Sequence, residues 1–327
     1  MRVLVTGSAG HLGEALMRTL PDAGHEAVGL DLLGSPFTRE TGSIAERTVV
    51  RRCMAGVDAV VHAATLHKPH LATHTRQDFV DTNVTGTLHL LEEAVAAGVR
   101  AFIFTSTTSV FGAALTPPPD APAAWVTEDV VPIPRNIYGV TKAAAEHLCE
   151  MVHRQHGLAC LVLRTARFFP EEDDRKATRQ SYGDANVKTN EYLYRRVELE
   201  DVVAAHLLAL ERAPSLGFGR YVISATTPFR ADDCRELRRD ATAVVGRRVP
   251  EYAAEYARRG WRMFPGIDRV YVNERARTDL GWRPRYDFRY VLGRLAAGED
   301  PRSPLSREVG SKGYHARTFE DGPYPVE

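Results

Sequence analysis

Tyr138 and Lys142 stand four residues apart in Tyr138-Gly139-Val140-Thr141-Lys142, a spacing that puts both side chains on one face at the start of a helix. A phenol with its ordinary pKa of about 10 is a poor base at neutral pH. A nearby ammonium stabilises the phenolate, so Lys142 is expected to lower the tyrosine's pKa and Tyr138 to donate or accept a proton. Upstream, Thr105-Ser106-Thr107-Thr108-Ser109 follows the apolar run Phe102-Ile103-Phe104. One hydroxyl at the end of such a strand can hold a reacting oxygen against Tyr138. The competing reading is a turn whose hydroxyls satisfy their own backbone, expected for three or four of the five.

Acid–base chemistry of this kind needs a partner for the electrons, and the start of the chain supplies one. Val3-Leu4-Val5 runs into Thr6-Gly7-Ser8-Ala9-Gly10-His11-Leu12-Gly13, which opens an amphipathic stretch through Ala15, Leu16 and Leu20. Glycines in a strand-to-helix turn let the chain reverse, let a pyrophosphate approach the backbone and let the helix pack on the strand. The helix end then offers free N–H groups to the phosphates. Asp31 closes the next apolar run, where a carboxylate would take the adenosine ribose hydroxyls and repel a 2′-phosphate. Leu32 and Leu33 supply no cation, and Arg39 is the nearest downstream. The pattern predicts NAD rather than NADP, held by Gly7, Ala9, Gly10, His11, Leu12, Gly13 and Asp31.

The 327 residues suffice for one large core or two lobes. Lys plus Arg and Asp plus Glu number 42 each, a balance that points to neither nucleic acid nor an anionic membrane surface as partner. The scattered Cys53, Cys149, Cys160 and Cys234 have no zinc-like spacing and read as buried free thiols. Met1-Arg2 runs directly into the first apolar run, and no apolar stretch approaches a membrane span, so a soluble cytoplasmic protein is expected.

Strand-like runs at 2–6, 27–31, 59–63, 101–105, 160–164 and 219–224 alternate with helical patterns at 11–20, 45–55, 78–97, 138–156 and 199–212. That alternation predicts an α/β fold, a doubly wound parallel Rossmann sheet, with a smaller C-terminal substrate-binding lobe. The expected division is 1–165 with 197–225 for the NAD-binding domain, and 166–196 with 226–327 for the lobe. Glu171-Glu172-Asp173-Asp174 beside Arg175-Lys176 reads as a solvated loop, Glu200 and Asp201 as helix capping, and 310–327 as a tail that either wraps a neighbour or lies on the surface.

With these motifs in view the chain resembles the extended short-chain dehydrogenases, the NAD-dependent epimerase/dehydratase family. The likeness rests on Thr6-Gly7-x-x-Gly10-x-x-Gly13, on Gly56-Val-Asp58-Ala-Val-Val-His62-Ala63-Ala64, on Asn83-Val84-x-Gly86-Thr87 and on Tyr138-x-x-x-Lys142. It covers residues 1–225 and, more loosely, a closing segment at 277–287. The resemblance implies a substrate-binding Thr107, an acid/base Tyr138, a Lys142 that also holds the nicotinamide ribose, and an Asn83 that supports the catalytic site. It implies Ser43 and Ile44 beside the adenine, with the serine a departure from the family's Asp, and Ala63, Ala64 and Thr65 lining the cofactor cleft. It also implies a homodimer through the helices of Asn83 and Tyr138, for which Leu88, Leu91, Ala144, Ala145 and Leu148 are suited, and a core reading explains these residues equally well.

Only about 25 residues separate Phe169-Pro170 from Arg196-Val197, a span too short for the extra elements by which nucleotide-sugar members grip their nucleotide. A small sugar-like substrate is therefore expected, with His67, Thr108, Phe168 and Arg175 as contacts. Phe169-Pro170-Glu171 followed by Arg175 is similar to the uronate dehydrogenases. His67, His70 and His74 invite a metal, but Pro69 interrupts them and no acid or thiol joins, so none is expected. The leading expectation is an NAD-dependent oxidoreductase acting on a secondary alcohol or carbonyl. The alternative is an epimerase or dehydratase that retains NAD, and a non-catalytic NAD sensor comes third.

Overall fold

A computed structural model of the chain describes residues 1–313 and Phe319, so most of the tail expected at 310–327 lies outside the described residues. The described residues form nine strands: β1 (Arg2–Thr6), β2 (Glu26–Asp31), β3 (Glu40–Thr41), β4 (Ala59–His62), β5 (Ala101–Thr107), β6 (Ala124–Val126), β7 (Ala159–Thr165), β8 (Phe218–Ile223) and β9 (Arg269–Tyr271). Seven form one sheet in the order β3-β2-β1-β4-β5-β7-β8, every pair parallel. The chain runs outward from β1 to β3 and then crosses back to β4, so the order reverses between β1 and β4. Register aligns Thr6 with Leu30 and His62, and Thr107 with Thr165, bringing the carboxyl ends to one edge. A crevice at that reversal is where such sheets bind ligands.

Helices α1 (His11–Thr19), α2 (Arg47–Cys53), α3 (Arg76–Val80), α4 (Gly86–Ala96) and α5 (Ile137–His156) connect the first strands. Successive β5 side chains point to opposite faces: Ile103 packs with Leu16, Leu161 and Val202, whereas Phe102 and Phe104 pack with Leu4, Val60 and Cys149. Both faces are covered, which is why the strands read as continuous apolar runs. Each fully buried Phe or Leu contributes ~1.5–3 kcal/mol.

The helix expected at 78–97 has a π-helical turn at Asp81–Thr85 between α3 and α4. Beyond β7 lie α6 (Lys176–Ser181), α7 (Asp184–Glu191) and α8 (Leu199–Leu216). Then come α9 (Cys234–Leu237), α10 (Ala241–Arg248), α11 (Tyr252–Arg259), α12 (Glu274–Asp279), α13 (Phe288–Ala296) and α14 (Pro304–Val309). Leu193, Leu237, Val245, Val270, Tyr286 and Val291 form a separate apolar cluster around the two-stranded β6-β9 sheet.

Three expectations are corrected here. Glu171–Asp174 is not a solvated run, because Asp173 is buried between Arg167 and Arg195 at 3.0 and 3.1 Å. Asp201 does not cap α8. It accepts the backbone N–H groups of Arg285 and Tyr286, both at 2.9 Å, and Trp282 Nε1 donates to its carbonyl, so α8 anchors the closing segment. Leu91 and Ala145 belong to the core of this chain, while Leu88, Ala144 and Leu148 are half-buried. All four cysteines are buried and free, and no helix among the described residues is long and apolar enough to cross a membrane.

Candidate active site

The turn after β1 is fixed by close backbone approach. Gly7 has φ +77°, and a Cβ there would lie 2.8 Å from the Ala64 nitrogen of the loop after β4. A Cβ on Gly13 would stand 1.8 Å from the Gly7 carbonyl oxygen, so α1 can begin this close to the strand only without one. His62 braces the turn from below: its Nδ1 pairs with Thr6 Oγ1 at 2.7 Å and its Nε2 with Thr87 Oγ1 at 2.9 Å. Burial drives this imidazole's pKa well below its ordinary value, so it acts as a neutral strut. Asp31 Oδ2 accepts the Ala9 N–H and Oδ1 the Leu33 N–H, both at 2.9 Å, which aims the carboxylate into the crevice. Arg39 turns away to Glu26 at 3.6 Å, leaving no cation beside Asp31 for a 2′-phosphate.

One cavity of ≈ 570 Å³ runs from this turn past Tyr138 to the C-terminal cluster. Gly7, Ala9, Gly10, His11, Leu12, Gly13, Asp31, Ser43, Ile44, Ala63, Ala64 and Thr65 all line it. So do Thr107, Thr108 and Tyr138, with His67, Phe168 and Arg175. Ser43 Oγ accepts the Ala45 N–H at 3.1 Å and so closes the turn before α2. Phe168 stacks on His11 with ring centroids 5.9 Å apart. His67 lies against Tyr138 at 6.0 Å, and burial lowers its pKa to about 3. Among the described residues no three His, Cys, Asp or Glu side chains are placed to hold a metal ion.

Tyr138 and Thr107 line the same part of the cavity. Burial pushes Tyr138 up to about 12, and the Thr107 hydroxyl opposes that rise. The expected ammonium–phenol coupling is not made: Lys142 Nζ donates to the Thr105 carbonyl at 2.6 Å and lies 4.0 Å from the Phe104 ring centroid. Burial lowers Lys142 to about 7 against the opposing pull of Glu146. The hydroxyl run also departs from expectation. Only Thr107 serves the local turn, accepting the Ser109 N–H at 3.1 Å. Thr105 pairs with His206 at 2.9 Å and Ser106 donates to Glu146 at 2.6 Å, so these two anchor the strand end to buried side chains.

Asn83 stays out of the cavity. On the π-helical turn its Oδ1 accepts from Thr65 Oγ1 and the Leu66 N–H at 2.9 and 2.8 Å, while Nδ2 donates to Leu66 O and Thr141 Oγ1, both at 3.1 Å. Thr141 in turn donates to the carbonyls of Ile137 and Tyr138. Asn83 therefore joins the cofactor loop to the turn that carries Tyr138, a positioning task, and the extra residue of the π turn is what brings it inward.

Opposite the glycine turn the cavity wall is ionic. Arg167 and Arg195 share Asp173 and Glu191, and Lys68 Nζ meets Asp174 at 2.7 Å. Burial pushes Asp174 and Glu191 up, but the surrounding cations outweigh it and hold both at about 2. Arg269 and Tyr271 of β9 also line the cavity, and the Arg269 Nε is buried without a hydrogen-bond partner. Sequence reasoning missed Lys68, Arg195, Arg269, Tyr271 and Lys312. A three-residue strand such as β9 has too little periodicity to be seen, and its one signal is an arginine ahead of Val270-Tyr271-Val272.

Residues 3–224 match the model of the NAD dependent epimerase/dehydratase family. The chain is 27% identical over 315 residues to a UDP-glucose 4-epimerase of Streptomyces lividans, covering 86% of this chain and 91% of that one. It is 29% identical over 350 residues to a UDP-glucose 4-epimerase of Azospirillum brasilense, covering 95% of each. A short-chain dehydrogenase/reductase superfamily protein of Agrobacterium tumefaciens, crystallised with NAD, has the same fold: TM-score 0.65, 24% identity, 94% of this chain and 99% of that one. The chain belongs to the NAD-dependent epimerase/dehydratase family, and its cofactor is NAD.

Proposed function

We propose that this family member oxidises a secondary alcohol of a sugar substrate and returns the hydride to the same carbon within one turnover, as an epimerase does. The observation that carries the reading is that Thr107, at the end of β5, and Tyr138, in the first turn of α5, line the same cavity as the glycine turn. The cleft fits NAD, since a Cβ would fill the cradle at Gly13 and the Asp31 carboxylate is aimed into the cavity beside the glycine turn. Gly7, Gly10 and Gly13 would hold the pyrophosphate, Asp31 the adenosine ribose, and Ile44 would pack beside the adenine. Bound NAD supplies the hydride acceptor.

Thr107 Oγ1 and Tyr138 Oη would hold the substrate oxygen; Tyr138, deprotonated when the positive charge of NAD lies beside it, takes the substrate proton as the alcohol becomes a carbonyl and gives it back afterwards. Lys142 lies too deep to take that proton and serves as the charge beneath the site. Elimination of water would need an acid for the leaving hydroxyl. Among the described residues the acids lining the cavity are Asp31, held by backbone N–H groups, Asp174, held by Lys68, and Glu171, whose Oε1 accepts from Ser311 while its Oε2 is unpartnered; Glu128 accepts the Val222 N–H elsewhere. That distribution favours epimerisation over dehydration.

A second reading, net oxidation of a small sugar acid, is favoured by one observation: the unpartnered Arg269 Nε in the substrate half, where a guanidinium suits a carboxylate or a phosphate. Both readings place the substrate between the ionic wall and the β6-β9 lobe. Incubation with a panel of UDP-sugars and uronic acids, followed by chromatography and NADH absorbance, separates them. Epimers without net NADH support the first, and stoichiometric NADH overturns it. Tyr138→Phe should lower turnover ~10²–10⁴-fold with NAD binding kept.

The exposed or half-buried Val140, Ala144, Leu148 and Met151 form one face of α5. A second copy of the chain covers that face in this reading. Light scattering should give twice the 36.2 kDa chain mass, and a monomer would refute it.

A further inference from the structure

Beyond α14 the chain turns back over the cofactor end of the cavity. α14 is pinned to α1 by Arg18 and Glu308, and Gly310, with φ +62°, redirects the chain. Ser311 Oγ then donates to Glu171 Oε1 at 2.6 Å, on the loop after β7. The next side chain, Lys312, pairs with Glu14 in the first turn of α1, and Glu14 N–H in turn bonds the Gly10 carbonyl at 2.8 Å. Consecutive residues are thus tied to two separate elements, α1 and the loop after β7. Lys312 and Gly313 line the same cavity as Gly7, Gly10 and Gly13.

Two further features mark this end as built for a polar ligand. Both ring nitrogens of His11 are buried with no hydrogen-bond partner, and so is Glu171 Oε2. The turn from Gly7 to Gly13 contributes no lysine or arginine, and Lys312 brings a cation to the cavity lining from its tie to Glu14 on α1.

We infer that Ser311, Lys312 and Gly313 form a clasp over the pyrophosphate end of the cofactor cleft, with Lys312 as an additional NAD-binding residue, so that NAD leaves only when the Glu14 or Glu171 tie opens. The clasp slows release and raises NAD retention. It contributes a cation that the glycine turn lacks, where a diphosphate sits against backbone N–H groups. The inference rests on NAD as cofactor and not on the sugar chemistry proposed above, and its test uses NAD alone.

The full-length protein is loaded with NAD, and release is followed by stopped-flow fluorescence for the parent, Lys312→Ala, Glu171→Ala and the double variant. Each partly exposed tie is worth a factor of up to about 5 in the dissociation rate, and the double variant should release NAD roughly 10–20-fold faster. Asp31→Ala should also release NAD faster, by loss of the ribose contact. Limited trypsinolysis with mass analysis gives a readout independent of any substitution. Saturating NAD should slow cleavage after Lys312 in the parent at least about fivefold. A double variant with the parent's NAD off-rate, or cleavage after Lys312 indifferent to NAD, would overturn the clasp.

Discussion

At the cofactor end of the cleft the walls are backbone, with Gly7 against Ala64, Gly13 against the Gly7 carbonyl, and Asp31 aimed by two N–H groups. At the other end, which the proposed function assigns to the substrate, they are charge: Lys68, Arg167 and Arg195 interlocked with Asp173, Asp174 and Glu191. A backbone cradle is shaped by the absence of atoms and has little freedom to vary. An ionic wall is set by side chains from four separate segments, and changing one partner re-aims the rest. The first kind of construction suits a fixed cofactor, and the second suits a substrate preference that differs among proteins of one fold.

The difference can be tested by breaking each end separately. Gly13→Ala should have the largest effect. Its Cβ would meet backbone that has no room to yield, so NAD affinity should fall by ~100-fold or more, seen by calorimetry, with a folded protein by circular dichroism. Asp173→Asn should leave NAD affinity near that of the parent and instead cost about 3 kcal/mol of stability, because Arg167 and Arg195 lose a shared buried partner. Urea unfolding would measure it. Equal loss of NAD affinity in both variants would erase the distinction between the ends.

Lys142 lies between them and gives a pH-dependent contrast. Its pKa is about 7 in the fold against an ordinary 10.5, so the unfolded chain binds the proton more tightly between those values, and stability rises with pH across that window. Lys142→Met removes the cost of the buried ammonium. Its Tm should exceed the parent's by several degrees at pH 6, and the gain should shrink as pH rises through 7 towards 10. A gain that grows with pH would contradict the burial of a charged Lys142. The smallest effect belongs to Arg269→Ala, which should raise KM for an anionic sugar ~5–10-fold and leave NAD binding and Tm unchanged.

These two constructions also explain what the sequence made legible. Glycines at 7, 10 and 13, the acid at 31 and the Tyr138/Lys142 spacing are local patterns, and each maps onto one turn or one helix face. The seven-stranded sheet follows from apolar runs that are buried on both faces. The ionic wall is different: Lys68 meets Asp174, and Arg195 meets Asp173, across stretches whose spacing carries no period, so Glu171–Asp174 looked solvated until the fold closed around it. Lys142 shows the other limit. Its position on the helix was readable, but its choice of the Thr105 carbonyl over the Tyr138 phenol depends on where β5 ends.

The central claim is that hydride leaves and returns within one turnover on a cofactor the protein keeps. It is tested most directly by purifying the protein without added nucleotide, denaturing it and quantifying what is released. The account predicts close to one NAD per chain, with little NADP. A nucleotide-free protein that binds NAD reversibly and accumulates NADH with a sugar acid would contradict it.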